Sequence, residues 1–405
     1  MTKPHHLLVF SEHLPQPKAS AAGRHLNEIL VLFSKAGFQI KHIYSSDIQL
    51  FDEVELPLYQ QLKLPINNQS VQAKLKALNP SYVLFDRFVM EEKWAWRIHD
   101  LFPEAVRILD LEDLHCLRKT REFCLKNKVK YSDDILKTQE ISKRELASIV
   151  RSDLTLVISK FEYDLLNNTF KIPEKQLFYL PFLTDSSSKT KALTFEERKD
   201  FIWIGGYKHP PNIDAVRYLK SSIWPKIRAQ LPKANLHIYG AYAPQLIQDF
   251  HNEKEGFLVK SWVDNAQDVI SKARLSLAPL RFGAGLKGKC MEALELGTPV
   301  LASDIAIEGF SELEDWSGAY CADPEDYAKH AKRLYTSKSA WASAQAKAED
   351  ILESFSKTHF ESRFIEKIKQ LESFKPSDFW TQNLIYQSFR QSKYFSKWIE
   401  EKEGH

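Results

Sequence analysis

Cysteine is scarce: Cys116, Cys124, Cys290 and Cys321 are the only four in 405 residues, and they form no C-x-x-C pair. Nothing in that spacing suggests a zinc site or a disulfide framework, and a reduced, cytoplasmic setting is expected. An excess of one charge is also missing. Lys and Arg number 56 against 53 Asp and Glu, a net charge of +3, too small by itself to imply nucleic-acid binding. No apolar run approaches the ~20 residues needed to span a bilayer. The opening "MTKPHHLLVFSEHLPQ" holds an apolar run of only four residues, which is not a signal-peptide pattern. Short repeats and low-complexity tracts are absent. With 43% hydrophobic and 27% charged residues, the composition is that of a soluble globular protein, and its length points to two domains.

What the chain does have is a regular alternation of short apolar runs with helical patterns. Strands are expected at 7–10, 38–44, 81–86, 105–111, 154–159 and 176–182 in the first half. In the second half they are expected at 201–206, 234–240, 256–263, 274–280, 298–303 and 318–323. Between them lie segments such as Arg24–Lys35, where Leu26, Ile29, Leu30 and Phe33 recur at helical spacing. Strands alternating with helices predict parallel sheets covered on both faces. The polar, serine-rich stretch 184–200 reads as a linker. The expected organisation is an α/β chain of two facing, doubly wound domains, 1–185 and 200–372, joined by a linker at 186–199 and followed by a helical tail at 373–405. Such sheets bind ligands beyond the carboxyl ends of their strands, so a cleft between the domains is expected. In the tail, Trp380, Leu384, Phe389 and Trp398 are expected to pack a last helix onto the body. A membrane-surface helix is the sharper alternative, since Arg390, Lys393 and Lys397 accompany the aromatics.

The stretch "GAGLKGKCMEALELGTPVLAS" (283–303) raises the main functional question. It reads as a glycine loop, a helix stopped at Gly297, and a strand. Gly283 and Gly285 allow φ > 0 and close backbone approach. The helix offers free N–H groups and a positive dipole end to an anion, and Lys287 and Lys289 add mobile charge. The first eight residues, G-x-x-x-x-G-K-C, stop one side chain short of a P-loop. Cys290 replaces the hydroxyl that would hold Mg²⁺, and a soft thiol is a poor magnesium ligand. The loop also follows the fourth strand candidate of its domain, whereas P-loops usually follow an early one. A diphosphate site of another kind fits better; a plain chain-reversing turn is the competing reading.

The same segment resembles the donor-binding signature of the retaining glycosyltransferases of family 4, which have the GT-B fold. "FIWIGGYKHPPNIDAVRYL" (201–219) and "SDIAIEGF" (303–310) extend the likeness. In the first half, "LPQPKASAAGRHLNEILVLFSKAGF" (14–38), "FDRFVMEEKWAW" (85–96) and "ILDLEDLHCLRKTRE" (108–122) are similar to elements of bacterial members. The resemblance implies that Glu292 holds the donor ribose hydroxyls. It implies that Gly283, Ala284, Gly285 and Leu286 contact the donor sugar and phosphates through backbone, and that Lys287 and Lys289 lie near the diphosphate. Gly205 and Lys208 match the start of the second domain's phosphate side. One departure matters: many members carry a second glutamate eight positions before the first-named one, and here that position is Ala284.

Glycosyl transfer needs the leaving diphosphate stabilised, and helix N–H groups with cationic side chains do this without a metal. A D-x-D-like metal motif is lacking in a sensible place, so no metal and no cofactor are expected beyond the nucleotide-diphosphate sugar, with Lys289 acting on the developing charge. The resemblance implies retention of anomeric configuration. On the acceptor side, Asp113 and His115 follow a strand and could orient or deprotonate an acceptor hydroxyl. Helix capping by Asp113 and a packed His115 remain the alternatives. Gly23 is read as giving room for substrate, with a plain turn as the alternative, and Asp86 with Arg87 as a second strand end or an internal ion pair. The basic run "RKTREFCLKNKVK" (118–130) reads as a solvated helix face, or as a surface for anionic lipid or an acidic glycan. The expected partners are a nucleotide sugar and a glycan or lipid-linked acceptor, with peripheral contact at the cytoplasmic face of the inner membrane as an open option, and no nucleic acid. Three rivals stand beside the transferase: a catalytically silent glycan- or partner-binding protein, a nucleotide-sugar epimerase, and last a nucleoside triphosphatase.

Overall fold

The computed structural model describes residues 5–17, 20–46, 59–66, 70–185, 192–260, 262–263, 265–372 and 390–403. The chain divides into two compact units. One comprises residues 1–116, 132–181 and 358–405, the other 117–131 and 182–357.

In the first unit seven strands form one sheet: β1 (His6–Ser11), β2 (Gln39–Tyr44), β3 (Gln60–Lys63), β4 (Tyr82–Asp86), β5 (Val106–Asp110), β6 (Leu154–Val157) and β7 (Leu177–Tyr179). Their order is β3-β2-β1-β4-β5-β6-β7, parallel throughout. The central strands are continuous buried apolar runs such as Leu7–Phe10 and Tyr82–Phe85, as expected for strands covered on both faces. The second unit has six: β8 (Lys199–Ile204), β9 (Leu236–Tyr239), β10 (Phe257–Val259), β11 (Ala273–Ala278), β12 (Val300–Ala302) and β13 (Gly318–Tyr320). Their order is β10-β9-β8-β11-β12-β13, again all parallel. In both sheets the order reverses beside the first strand, the topological switch point of doubly wound folds.

All twelve expected strands are present. β3 was not expected, because its sequence "QQLK" is polar and mostly exposed at the sheet edge; pairing with β2, not hydrophobic patterning, makes it a strand. The domain boundaries also differ from expectation. The helix Lys357–Glu372 was assigned to the second domain, yet from Thr358 onward it belongs to the first unit. Phe364 stacks edge-on against Phe33 and Phe178, and Phe360 against Tyr179. The far end of the expected linker is fastened as well. Buried Arg198 donates to the carbonyls of Leu193 (3.0 Å) and Leu296 (2.6 Å) and to the Thr298 hydroxyl (2.5 Å).

In the tail, Trp380, Leu384 and Phe389 lie outside the described residues. The helix Arg390–Glu403 is not packed through Trp398, which is 55% exposed beside exposed Tyr394 and Phe395. Ion pairs hold it instead: Glu400 to Arg97 and Lys393 to Asp100. Arg97 is buried between the rings of Trp94 and Trp96, so its guanidinium needs a partner, and a polar anchor takes precedence over an aromatic one.

Candidate functional site

In the second unit the chain leaves β11, passes through the glycine loop and enters the helix Gly288–Glu295. Gly285 takes φ +64°, which a side chain would strain. Gly283 does not need its freedom: its φ is not positive, and an added Cβ would meet nothing closer than 3.4 Å. The helix has Lys287 at its N-cap with no side-chain cap, so its first N–H groups keep an anion-binding disposition.

The two lysines have different roles. Lys287 is buried, and its ammonium donates to the Gly285 carbonyl at 2.8 Å and lies 3.8 Å from Glu308. It is a strut inside the loop, not the mobile phosphate ligand the sequence suggested. Lys289 donates to Asn212 Oδ1 at 2.5 Å and stands 4.9 Å over the Trp203 ring. A Cβ on Gly205 would sit 2.9 Å from Asn212 Nδ2 and 3.1 Å from Lys289 Nζ. Gly205, Asn212 and Lys289 therefore converge. Burial lowers the Lys289 ammonium to about 8; an ammonium poised this way gains from an incoming anion.

The helix Pro210–Tyr218 begins beside them, with Pro210 and Pro211 at positions whose N–H would be unsatisfied anyway. Asn212 also donates to the Gly206 carbonyl at 2.8 Å, fixing that turn. Lys208 is exposed, its ammonium 4.5 Å from the centre of the Tyr242 ring. Glu292, part-exposed, lies one turn beyond Lys289 on the same helix. Ala284 is part-exposed and Leu286 buried. Cys290 is fully buried, and burial pushes its thiol up to about 12, so it stays a neutral core side chain.

The basic run at 118–130 is not a uniformly solvated face. Arg118 and Arg121 are buried. Arg121 donates to the Gly283 carbonyl (2.8 Å) and to both oxygens of Glu308 (2.9 and 2.6 Å). Lys119 and Lys126 pair with Glu122 at 3.1 and 2.7 Å on the outer side.

A second cluster lies in the first unit, at the carboxyl ends of β4 and β5. Asp86 and Asp110 are register partners there. Arg87 and Glu112 follow them with φ +71° and +58°, two strained non-glycine residues of the kind that mark functional loops. Arg87 Nε lies 3.6 Å from Asp86. His25, on the helix Ala21–Lys35, donates through Nε2 to the Leu180 carbonyl at 2.9 Å; its Nδ1 is 3.6 Å from Glu112 and 4.0 Å from Asp110. Burial alone would lower His25, but the Glu112 carboxylate beside Nδ1 and the charge of Asp110 outweigh it and raise the imidazolium to about 9. Burial, then the Glu112 charge, pushes Asp110 up to about 8, against the pull of His25.

Asp113 and His115 face each other, with Oδ1 and Nε2 3.2 Å apart and both side chains part-exposed. The helix His115–Asn127 draws its capping from elsewhere. Glu162 accepts from the Leu114 N–H (3.0 Å), and Glu145 accepts from the N–H groups of His115 (3.0 Å) and Cys116 (2.7 Å). Distant carboxylates thus meet the positive helix end, and Asp113 pairs with His115. Gly23 does not leave room for substrate: a Cβ there would fall 2.6 Å from the backbone of Gln16, so the chain's own loop fills the space.

Sequence reasoning missed His25, Asp110, Glu112, Asn212 and Arg121. A signal existed for His25, which sits one residue before Leu26 in an otherwise apolar stripe and is fully buried. His25, Asp110 and Glu112 form the one group among the described residues whose ligand atoms lie close enough (4.8 Å) to share a metal ion. The Nδ1 of His25 faces the Glu112 carboxylate at 3.6 Å, an ion-pair contact.

No curated protein sequence matches the chain. Sucrose-phosphate synthase from Thermosynechococcus elongatus is similar in structure, with a TM-score of 0.67 and 14% identity over 91% of this chain and 99% of that one. The pneumococcal O-GlcNAc transferase GtfA, in complex with UDP and GlcNAc, gives a TM-score of 0.65 and 13% identity over 91% and 99%. A glycosyltransferase from Rickettsia africae gives 0.63 and 10% over 92% and 100%. The fold of the chain is therefore GT-B. Residues 198–337, from β8 to the end of the helix Pro324–Thr336, match the family model described as glycosyl transferases group 1.

Proposed function

We propose that the protein is a glycosyltransferase that moves a sugar from a nucleotide-diphosphate donor to a hydroxyl of a glycan or lipid-linked acceptor. The carrying observation is the convergence of Gly205, Asn212 and the desolvated Lys289 beside an uncapped helix N-terminus, within the segment matched by the group 1 model. Preorganised N–H groups and an ammonium stabilise a departing diphosphate as the anomeric bond lengthens. In this reading Lys289 supplies the charge and Glu292 binds the ribose hydroxyls. A retaining, metal-independent reaction of the family 4 kind is the form of chemistry this reading favours. The Asp113–His115 pair is the candidate to orient or deprotonate the acceptor, with the Arg87 guanidinium feeling the charge of Asp113.

The pathway belongs to the same proposal: bacterial surface polysaccharide or glycoconjugate synthesis on the cytoplasmic side of the membrane. No helix among the described residues is long and apolar enough to cross a membrane. Exposed Tyr394, Phe395 and Trp398 on one helix, with Lys402 5.1 Å from the Trp398 ring, are the feature that supports peripheral attachment. Flotation with anionic liposomes tests it, and a chain that stays at the bottom of the gradient removes that part.

A thermal-shift screen across UDP-, GDP-, ADP-, CMP- and dTDP-sugars tests the central reading, because bound donor stabilises the native state. One nucleotide class should raise the melting midpoint and release its sugar to an acceptor. Binding without release favours the silent protein that Ala284 leaves open, and conversion of donor without acceptor favours the epimerase.

A further inference from the structure

The glycine loop carries no carboxylate of its own, yet a carboxylate holds it. Glu308, just past the helix Asp304–Ile307, lies 3.8 Å from Lys287 and receives two hydrogen bonds from Arg121. Arg121 comes from a segment far away in sequence, and its guanidinium also donates to the Gly283 carbonyl at 2.8 Å. Lys287 donates to the Gly285 carbonyl at 2.8 Å. Two carbonyls of the loop, two residues apart, are therefore each tied to a buried cation, and one carboxylate touches both cations. Both side chains are nearly sealed, Arg121 at 8% and Lys287 at 6% exposure, where such bonds are strong.

These contacts have a geometric consequence. A trans peptide is planar, with C=O of residue i and N–H of residue i+1 pointing in opposite directions. Tying the Gly283 carbonyl to Arg121 aims the Ala284 N–H away from Arg121. Tying the Gly285 carbonyl to Lys287 aims the Leu286 N–H away from that lysine. Because Glu308 contacts both cations, both carbonyls are drawn toward one side and the alternate N–H groups of Ala284 and Leu286 toward the other, where they can form an anion-binding concavity.

We infer that Arg121 is a positioning residue for the donor loop: with Glu308 and Lys287 it fixes the amides of Ala284 and Leu286 to receive the pyrophosphate of a nucleoside diphosphate. This role rests on the donor-binding reading above. It assigns Arg121 no contact with the ligand; its effect passes through the peptide planes. The planar fork matters, because one guanidinium gives a donor to each oxygen of Glu308 and a further bond to the Gly283 carbonyl in a fixed geometry that an ammonium does not reproduce.

The test uses the full chain with UDP, GDP, ADP and dTDP as probes, in wild type, Arg121→Ala, Arg121→Lys and Glu308→Gln. Calorimetry reads affinity, and amide hydrogen exchange reads residues 283–287 without ligand. Arg121→Ala is expected to weaken the bound nucleoside diphosphate at least tenfold and to speed exchange at 283–287 while the rest of the second unit exchanges as before. Arg121→Lys should recover only part of the affinity. A general structural role would instead spread faster exchange over the whole unit, and that result would count against the inference. If Arg121→Ala does not fold, Glu308→Gln, which keeps the side chain's shape but removes its charge and one of the two acceptors of Arg121, carries the same expectations. Wild type that binds a probe, with variants that bind it equally well, would overturn this role alone. Wild type that binds none of the four would overturn the donor reading and this role together.

Discussion

Both sheets are parallel and switch order beside their first strand, yet the loops following their strands carry opposite chemistry. In the second unit the functional loops bring cations to peptide groups: Lys289 to Asn212, and Lys287 and Arg121 to the carbonyls of Gly285 and Gly283. In the first unit the ends of β4 and β5 gather Asp86, Asp110, Glu112 and Asp113 around Arg87, His25 and His115. Topology places a site at the strand ends in both cases. Side chains then decide whether it receives an anion or handles a proton. The cationic loop suits a diphosphate, and the carboxylate-rich strand ends suit a hydroxyl that must lose a proton.

The largest expected effect comes from removing the cation on one side of this contrast. Lys289→Ala should cost roughly 1.5–3 kcal/mol of nucleotide binding, the range of a charge-assisted hydrogen bond, with the melting midpoint little changed. Calorimetry with the responsive nucleoside diphosphate checks it, and unchanged affinity would remove Lys289 from the site. Glu292→Ala should lower nucleotide affinity by a smaller factor, through the ribose alone.

A structural substitution separates Gly23, read as leaving room for substrate, from Gly283, read as part of the ligand loop. Gly23→Ala puts a Cβ against the backbone of Gln16, and overpacking of this kind costs about 1–3 kcal/mol. Gly283→Ala, with its nearest neighbour at 3.4 Å, should unfold within a few tenths of a kcal/mol of wild type. Denaturant unfolding of both variants decides, and equal losses would erase the distinction.

Proton linkage sharpens the comparison further, since the two sites should respond to pH differently. His25 is raised from 6.5 to about 9, so its stabilisation is complete below the unfolded value and fades as the pH rises through about 9. Asp110, raised to about 8, acts in the same direction, because the folded unit holds its proton longer. Stability of the first unit should fall as the pH rises from 3.8 to about 9, with Asp110 contributing up to about 8 and His25 from 6.5 to about 9, and His25→Gln should reduce the slope over the upper part. Lys289 is lowered to about 8, so nucleotide affinity should hold below that value and decline above it, as the ammonium a phosphate needs is lost. Lys289→Arg, always charged, should bind with a flat profile. A wild-type profile that is already flat would show that this ammonium does not meet the ligand.

Apolar runs bounded by helical patterns placed all twelve anticipated strands, since burial on both faces leaves a plain hydrophobic signature. The same logic could not see β3, whose "QQLK" owes its conformation to its neighbour. The loop at 283–287 was legible because glycine and lysine cluster there within five residues. The cluster around His25 was much harder to see, because its members come from a helix and from the end of a strand about 85 residues further on. Arg121 looked like part of a solvated basic run; burial separated it from Lys119 and Lys126, which remain on the outer side. The tail aromatics misled in the other direction, since buried Arg97 drew Glu400 to it and left Trp398 outside.

The sequence by itself determined the order and kind of the elements, the place of the glycine–lysine loop and the thiol of Cys290 where a P-loop would carry a hydroxyl. Those depend on local periodicity and on residues adjacent in the chain. Only the tertiary structure decided which lysine is a strut and which faces Asn212, which carboxylates cap the helix at His115, and which glycine the chain's own backbone crowds. Each of these turns on desolvation and close approach between distant segments, and a buried charge takes whatever partner the fold brings within about 3 Å.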